Sequence, residues 1–356
     1  MRFHGGSFWV KGRVIDFSVN LNPLGIPKVI EEEIKSSILY GRVYENYPDY
    51  NYSELKKAIT YFYDIEREQV IPTNGASEAL NLAILAIQPK SLVIISPSYG
   101  DYELLCNALK IKCIYVLMED VDSEFKLNYD NLLNQIHGLE DYVVIITNPN
   151  NPTGTIIENK LITDLACEIG KKSSYIILDE AYAELSDYTS MLELNPPSNV
   201  IVVRSFTKTF NVPGLRLGFL YTTSNTILIK IDEIRPTWNV NAIADYVFRK
   251  ALVEYKKQLW EFISRSREYV AKERKYLVKK LKSLGFHVYS SKTNFILLKH
   301  EWISSHQLQK ILLNRYRILI RPAHTFRGLS IYHSRISVRK RHENELLVKA
   351  LEEAIK

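Results

Sequence analysis

The 356 residues exceed what one compact core usually encloses, so two bodies, or a large one with a satellite, are expected. With 46% hydrophobic and 24% charged residues and a formal net charge of +6, the composition is that of an ordinary folded protein: collagen-like and disordered chains are excluded, and the scattered positive charge argues against nucleic acid as a partner. Apolar runs fall well short of the ~20 residues that cross a bilayer, the first residues lack a leader-like apolar stretch, and Cys106, Cys113 and Cys167 suit neither a disulfide framework nor a metal site; a cytoplasmic protein with no membrane partner and no metal is expected.

In chain order, residues 1–25 fit no periodic pattern and read as an arm. From about residue 70 to 222, short runs rich in Val and Ile alternate with helical patterns. A helix over 77–87 precedes a strand over 91–96; a helix over 102–109 precedes a strand over 112–116; strands over 142–147 and 175–179 flank a helix over 159–169; strands over 200–204 and 216–221 follow. Doubly buried strands separated by helices imply an α/β domain with a mostly parallel sheet. Beyond about residue 243 the character changes. A long helical stretch over 244–284 leads to strands near 294–298, 318–321 and 335–338, a helix near 305–314 and a terminal helix from His342. This reads as a smaller α+β domain, so the expected division is 1–25 arm, 26–240 large domain and 241–356 small domain.

In open α/β sheets ligands sit at the carboxyl ends of the strands, and there this sequence concentrates polar residues. Thr73-Asn74-Gly75-Ala76 stands before a helix, Ser96-Pro97-Ser98-Tyr99-Gly100 after a strand, and Asn148-Pro149-Asn150-Asn151-Pro152-Thr153-Gly154, Asp179-Glu180-Ala181-Tyr182 and Ser205-Phe206-Thr207-Lys208 after three more. Each alone could be a turn or a helix cap. Together they answer the needs of one cofactor, pyridoxal 5′-phosphate. Its aldehyde wants a lysine, for which Lys208 is the candidate. Its ring nitrogen stays protonated beside a carboxylate, for which Asp179 is placed. Asn151 and Tyr182 can donate to the ring oxygen. The phosphate suits the helix start at Gly75, Ala76 and Ser77, completed by Ser205, Thr207 and Arg216, and Tyr99 could cover the ring face.

This ordered set, with Pro213-Gly214-Leu215-Arg216-Leu217-Gly218, resembles the class I and II aminotransferases of fold type I over essentially the whole chain. The resemblance implies a seven-stranded large domain, a small domain and a homodimer with active sites at the subunit interface. It also implies that Lys208 is the Schiff-base lysine, and that Tyr47, in Asn46-Tyr47-Pro48, reaches the neighbouring subunit's cofactor phosphate. Arg335 matches the arginine that binds the substrate carboxylate, a role natural to a bidentate guanidinium. Two subfamilies compete. His4-Gly5-Gly6, the stretch Asp16 to Gly25 with Asn20, Trp238-Asn239-Val240-Asn241-Ala242 and Phe326-Arg327-Gly328-Leu329 look like the threonine-phosphate decarboxylases of the cobalamin pathway; histidinol-phosphate aminotransferases share the remaining motifs. A phosphorylated amino acid brings a carboxylate and a dianion, and Arg327, Arg335, Arg339, His4 and Asn20 would offer donors to both, although Arg339 also fits a solvated turn before the last helix. A cofactor-binding transcription regulator and a dinucleotide enzyme rank below these. The aminotransferase-like motifs begin almost at residue 1, leaving no room expected for a DNA-binding domain, and there is no G-x-G-x-x-G after a strand.

Overall fold

The computed structural model describes residues 5–7 and 9–355. Its strands are β1 (Ile15–Asp16), β2 (Val70–Thr73), β3 (Ser91–Ser96), β4 (Lys112–Leu117), β5 (Glu119–Val121), β6 (Glu124–Lys126), β7 (Tyr142–Thr147), β8 (Tyr175–Asp179), β9 (Val200–Ser205), β10 (Gly218–Tyr221), β11 (His287–Val288), β12 (Phe295–Lys299), β13 (Ile318–Leu319), β14 (Arg321–Pro322) and β15 (His333–Ser337). The helices are α1 (Lys28–Leu39), α2 (Ser53–Tyr63), α3 (Gly75–Ile87), α4 (Asp101–Leu109), α5 (Tyr129–Ile136), α6 (Asn159–Gly170), α7 (Phe206–Thr209), α8 (Asn225–Ile234), α9 (Ala242–Glu254), α10 (Lys256–Ser283), α11 (Ser305–Tyr316) and α12 (Arg341–Ile355).

Seven strands form one sheet in the order β2-β10-β9-β8-β7-β3-β4. All pairs are parallel except the two made by β10, which runs antiparallel between β2 and β9. The inner strands are buried on both faces, which is why they read as unbroken apolar runs such as Tyr142–Thr147. A second sheet, β11-β12-β15-β14, is antiparallel throughout. This is the fold-type I architecture: a large, mostly parallel α/β sheet joined to a smaller α+β body.

The cores do not divide at residue 241. Val240, Val247, Phe248, Leu252, Leu259 and Ile263 belong to the core beneath the large sheet, whereas Leu277 and Leu281, further along α10, belong to the core of the small sheet. Phe17, from the leading segment, also lies in that smaller core, because β1 pairs in parallel with β13 and Ser337 donates its N–H to the Phe17 carbonyl at 2.9 Å.

Several boundaries differ from the sequence reading. The helical stretch over 244–284 is two helices, α9 and α10, broken where Tyr255 leaves helical geometry (φ −120°, ψ 22°). The strand expected from 216 starts at Gly218, because Arg216 holds a left-handed backbone (φ 54°). The strand over 318–321 is split into β13 and β14, which serve different sheets. Helices α1, α2, α5 and α8 were not recognised in the sequence. Cys106 and Cys113 are disulfide-bonded, brought together by the short turn from α4 into β4, with Cα atoms 5.9 Å apart, while Cys167 is free; the single bridge was not anticipated from the sequence. Among the described residues no helix is long and apolar enough to cross a membrane, and no group of three or more potential ligands could hold a metal.

Candidate active site

The parallel strands β3, β7, β8 and β9 all end at one edge of the sheet, and their last residues, Ser96, Thr147, Asp179 and Ser205, open a cleft there. The antiparallel β10 begins at that edge, with Gly218 opposite both Ser205 and Thr73. A Cβ on Gly218 would lie 2.8 Å from the Ala76 nitrogen, so glycine there lets the first turn of α3 sit directly on the strand. No side chain caps α3, which leaves its leading N–H groups to face the cleft. Gly75 (φ +76°) makes the turn that starts the helix, and its missing Cβ leaves room for the Arg216 guanidinium 2.5 Å from where it would stand.

The cleft has two lobes. The inner, of about 170 Å³, is lined by Ala76, Ser77, Tyr99, Asn151, Asp179, Tyr182, Ser205, Thr207, Lys208 and Arg216, so ten of the twelve cofactor residues read from the sequence converge; Gly75 lies just behind Arg216. The outer, of about 410 Å³, shares Tyr99, Asn151, Tyr182 and Lys208 and adds Ser18, Asn20, Glu103, Arg321, Phe326 and Arg335.

Burial governs the electrostatics. It pulls the Lys208 amine down to about 8, an effect reinforced by Arg335 and Arg216 and opposed by Asp179. It pushes the Asp179 carboxyl up, against hydrogen bonds from the Tyr102 hydroxyl (2.7 Å to Oδ2) and the Ala181 N–H (3.0 Å to Oδ1). Glu180, the next residue, points the other way and accepts from Arg204 Nη1 at 2.6 Å in a buried cluster completed by Glu184, which also accepts from the Tyr63 hydroxyl at 2.5 Å. The adjacent acids thus divide: Asp179 serves the cleft, and Glu180 anchors the chain behind it. At the cup, Ser205 Oγ and Thr207 Oγ1 lie 2.8 Å apart.

In the outer lobe Arg335 donates to Asn151 Oδ1 (2.5 Å) and to the Ser18 carbonyl (2.6 Å), leaving the Asn151 amide nitrogen as that side chain's donor. Arg321 donates to Thr325 Oγ1 at 2.8 Å. The two arginines stand directly opposite each other in the β14–β15 ladder, only 8% and 5% exposed, and both lie near the Phe326 ring. Burial lowers both guanidinium pKa values, that of Arg321 to about 10, with Arg335 adding to the effect. Arg335 makes no ion pair among the described residues, and its Nε is buried without a partner. Asn20 Nδ2 lies 3.4 Å from the Tyr182 hydroxyl, and Asn20 Oδ1 is likewise unsatisfied.

Other residues singled out in the sequence stand elsewhere. Arg339 does not line either lobe: it is held by the Asp16 carbonyl and Glu343, both at 2.8 Å, and clamps the leading segment to α12. Arg327, at the rim, pairs with Glu103 at 2.9 Å and lies 3.8 Å from the centre of the Tyr115 ring. Tyr47 is 76% exposed and stacks on Trp238 with ring centres 4.1 Å apart, away from this chain's own cleft. His4 lies outside the described residues. The sequence reading missed Tyr102, Thr147 and Arg321. Tyr102, in the first turn of α4, meets the Tyr99 ring edge-to-face with centres 5.7 Å apart, and its proximity in sequence to Tyr99 at a strand end is the one signal that could have flagged it.

The chain matches the family model for aminotransferase class I and II over residues 12–351. It belongs to that family. It is 33% identical over 341 residues to the adenosylcobalamin biosynthesis bifunctional protein CobDQ of Leptospira interrogans, with 95% of this chain covered but only 38% of that protein. It is 28% identical to the threonine-phosphate decarboxylase of Salmonella typhimurium, covering 95% of this chain and 90% of the relative. Among solved structures, the histidinol-phosphate aminotransferase from Clostridium acetobutylicum superposes with a TM-score of 0.85 at 29% identity, covering 96% of this chain and 99% of the other. The family uses pyridoxal 5′-phosphate, and that is the cofactor here. The cleft fits it: a lysine amine kept near neutrality, a buried carboxylate and an uncapped helix start within one lobe match an aldehyde, a ring nitrogen and a phosphate.

Proposed function

We propose that the protein removes the carboxylate of L-threonine O-3-phosphate as carbon dioxide, leaving (R)-1-amino-2-propanol O-phosphate for cobalamin biosynthesis. The observation that carries this is Arg335, a guanidinium only 5% exposed in the outer lobe that makes no ion pair among the described residues and whose Nε has no partner. It stands directly across the ladder from Arg321, so positive charge is concentrated there. A substrate with a carboxylate and a phosphate brings two anionic groups to this lobe, where Asn20, Ser18 and Thr325 offer further polar contacts.

In this reading Lys208 binds the cofactor, Asp179 answers its ring nitrogen, Asn151 and Tyr182 donate to its ring oxygen, Tyr99 covers its face, and Gly75, Ala76, Ser77, Ser205, Thr207 and Arg216 hold its phosphate. When bound, the cofactor supplies a ring that draws electron density from the substrate's Cα. The arginines orient the substrate so that its carboxylate is the group released, and Lys208, whose amine with a pKa of about 8 carries a proton at neutral pH, would act as the acid that gives that proton to Cα. The catalytic residues are thus Lys208, Asp179 and Tyr182. The partner in this reading is a second copy of this chain, for which Leu39, Tyr40, Tyr44, Tyr47 and Trp238, all large apolar or aromatic residues left exposed, and the Tyr47–Trp238 stack offer support.

Histidinol-phosphate aminotransferase is the second reading, favoured by the TM-score of 0.85 to a solved enzyme of that name. Purified, cofactor-loaded protein is offered O-phospho-L-threonine, or histidinol phosphate with 2-oxoglutarate. Carbon dioxide from the first is the expected result; glutamate from the second without that release defeats the proposal.

A further inference from the structure

Asp179 ends β8 within the cleft, where burial favours its neutral form. The Tyr102 hydroxyl meets it from a different element. Tyr102 is wholly buried in the first turn of α4, donates to Asp179 Oδ2 at 2.7 Å, and lies 2.9 Å from Thr147 Oγ1, itself 3.2 Å from Ser98 Oγ. A phenol has one proton and an ionised carboxylate only accepts, so the proton on Tyr102 goes to Asp179. Thr147 must then donate to Tyr102, and Ser98 to Thr147. The chain of hydroxyls has a single direction, and it ends on the acid.

We infer that Tyr102 is a positioning residue that keeps Asp179 ionised and aimed at the cofactor's ring nitrogen, with Thr147 fixing the direction of its hydroxyl. This rests on the reading of Asp179 as the ring-nitrogen partner. The other charges acting on Asp179 are Lys208, which favours its ionised form, and Glu180, which opposes it although its carboxylate is turned to Arg204; the hydroxyls of Tyr99 and Tyr182 are close enough to interact with it. A charge-assisted hydrogen bond in so enclosed a site is among the stronger kinds, and its loss is not made good by water.

The test uses Tyr102→Phe, which keeps the ring packing and removes only the hydroxyl, with Thr147→Val as a second variant. Titration of the cofactor-free protein with pyridoxal phosphate reads affinity. Infrared titration reads the Asp179 carboxyl in the cofactor-free protein, its band identified by absence in Asp179→Asn. Tyr102→Phe is expected to bind the cofactor about tenfold more weakly, and its Asp179 to protonate at higher pH; Thr147→Val moves both in the same direction by less. A folded Tyr102→Phe protein whose Asp179 titrates as in the parent overturns the inference. If Tyr102→Phe does not fold, an unchanged Asp179 titration in Thr147→Val overturns it. Undiminished cofactor affinity in Asp179→Asn defeats instead the reading of Asp179 on which it rests.

Discussion

Lys208 sets burial against charge, and the conflict has a measurable sign. Its amine titrates near 8 in the cofactor-free fold and near 10.5 when unfolded. Below pH 8 both states carry the proton and the buried charge destabilises the fold in full. Between pH 8 and 10.5 the unfolded chain holds more protons, so stability rises with pH, and above that range the penalty is gone. Lys208→Met should stabilise the cofactor-free protein by about 2 kcal/mol at pH 7, the partial exposure of the amine taken into account. Urea unfolding at pH 7 and pH 10 checks this: the difference must shrink at the higher pH, and equal differences would disprove it. Lys208, Asp179 and Asn151 were legible because each follows a strand end inside a short motif whose chemistry is local. Tyr102 and Arg321 were not, since what gives each its meaning lies far along the chain: Tyr102 matters through Asp179, 77 residues away, and Arg321 through its register with Arg335. Arg339 misled for the opposite reason. Its sequence neighbourhood resembled a binding strand, but the strand ends at Ser337 and the side chain turns to Asp16 and Glu343.

Among the elements, the junction of β10 with α3 depends on one absent methyl group. A Cβ at Gly218 would stand 2.6 Å from the Arg204 carbonyl and 2.8 Å from the Ala76 nitrogen and Gly75 carbonyl carbon, all backbone atoms that cannot rotate away. Gly218→Ala is therefore expected to lower stability by about 2 kcal/mol or more, and in whatever protein remains folded to weaken phosphate binding by tilting the first turn of α3. Chemical denaturation and cofactor titration of the same sample test both parts; an alanine variant equal to the parent in each would show that the sheet relaxes. The strands of the large sheet were readable because burial on both faces writes an uninterrupted apolar run. The break at Tyr255 was not, because apolar periodicity continues across it and only the packing of α9 on α1 and α2 shows that the axis changes. Helices α1 and α2 escaped notice since charged and aromatic residues, such as Glu33 and Tyr63, occupy their inward faces, satisfied there by Lys250 and Glu184.

At the scale of the whole molecule, Tyr47 is exposed, stacks on Trp238 and lines neither lobe of its own cleft, which supports the proposal that it serves a neighbouring subunit. Two inactive variants separate the possibilities. Chains carrying Tyr47→Ala should be nearly inactive, as should chains carrying Lys208→Ala. Unfolded together and refolded as a mixture, they should recover up to about one quarter of parental activity, since half the dimers are mixed and each has one intact site. No recovery would mean that each chain is self-sufficient. A last consequence comes from α10. Its 28 residues make a rod about 42 Å long, rooted at Leu259 and Ile263 in one core and at Leu277 and Leu281 in the other. Lys208 and Asp179 ride with the first, Arg335 and Arg321 with the second. The spacing between Lys208 and the two arginines thus depends on an element seated in both cores, with the Arg335–Asn151 hydrogen bond of 2.5 Å as a second tie across the cleft. Ser266, on that helix, accepts a hydrogen bond from the Asn22 amide at 2.8 Å, so the rod is braced by the leading segment as well as by the two cores it joins.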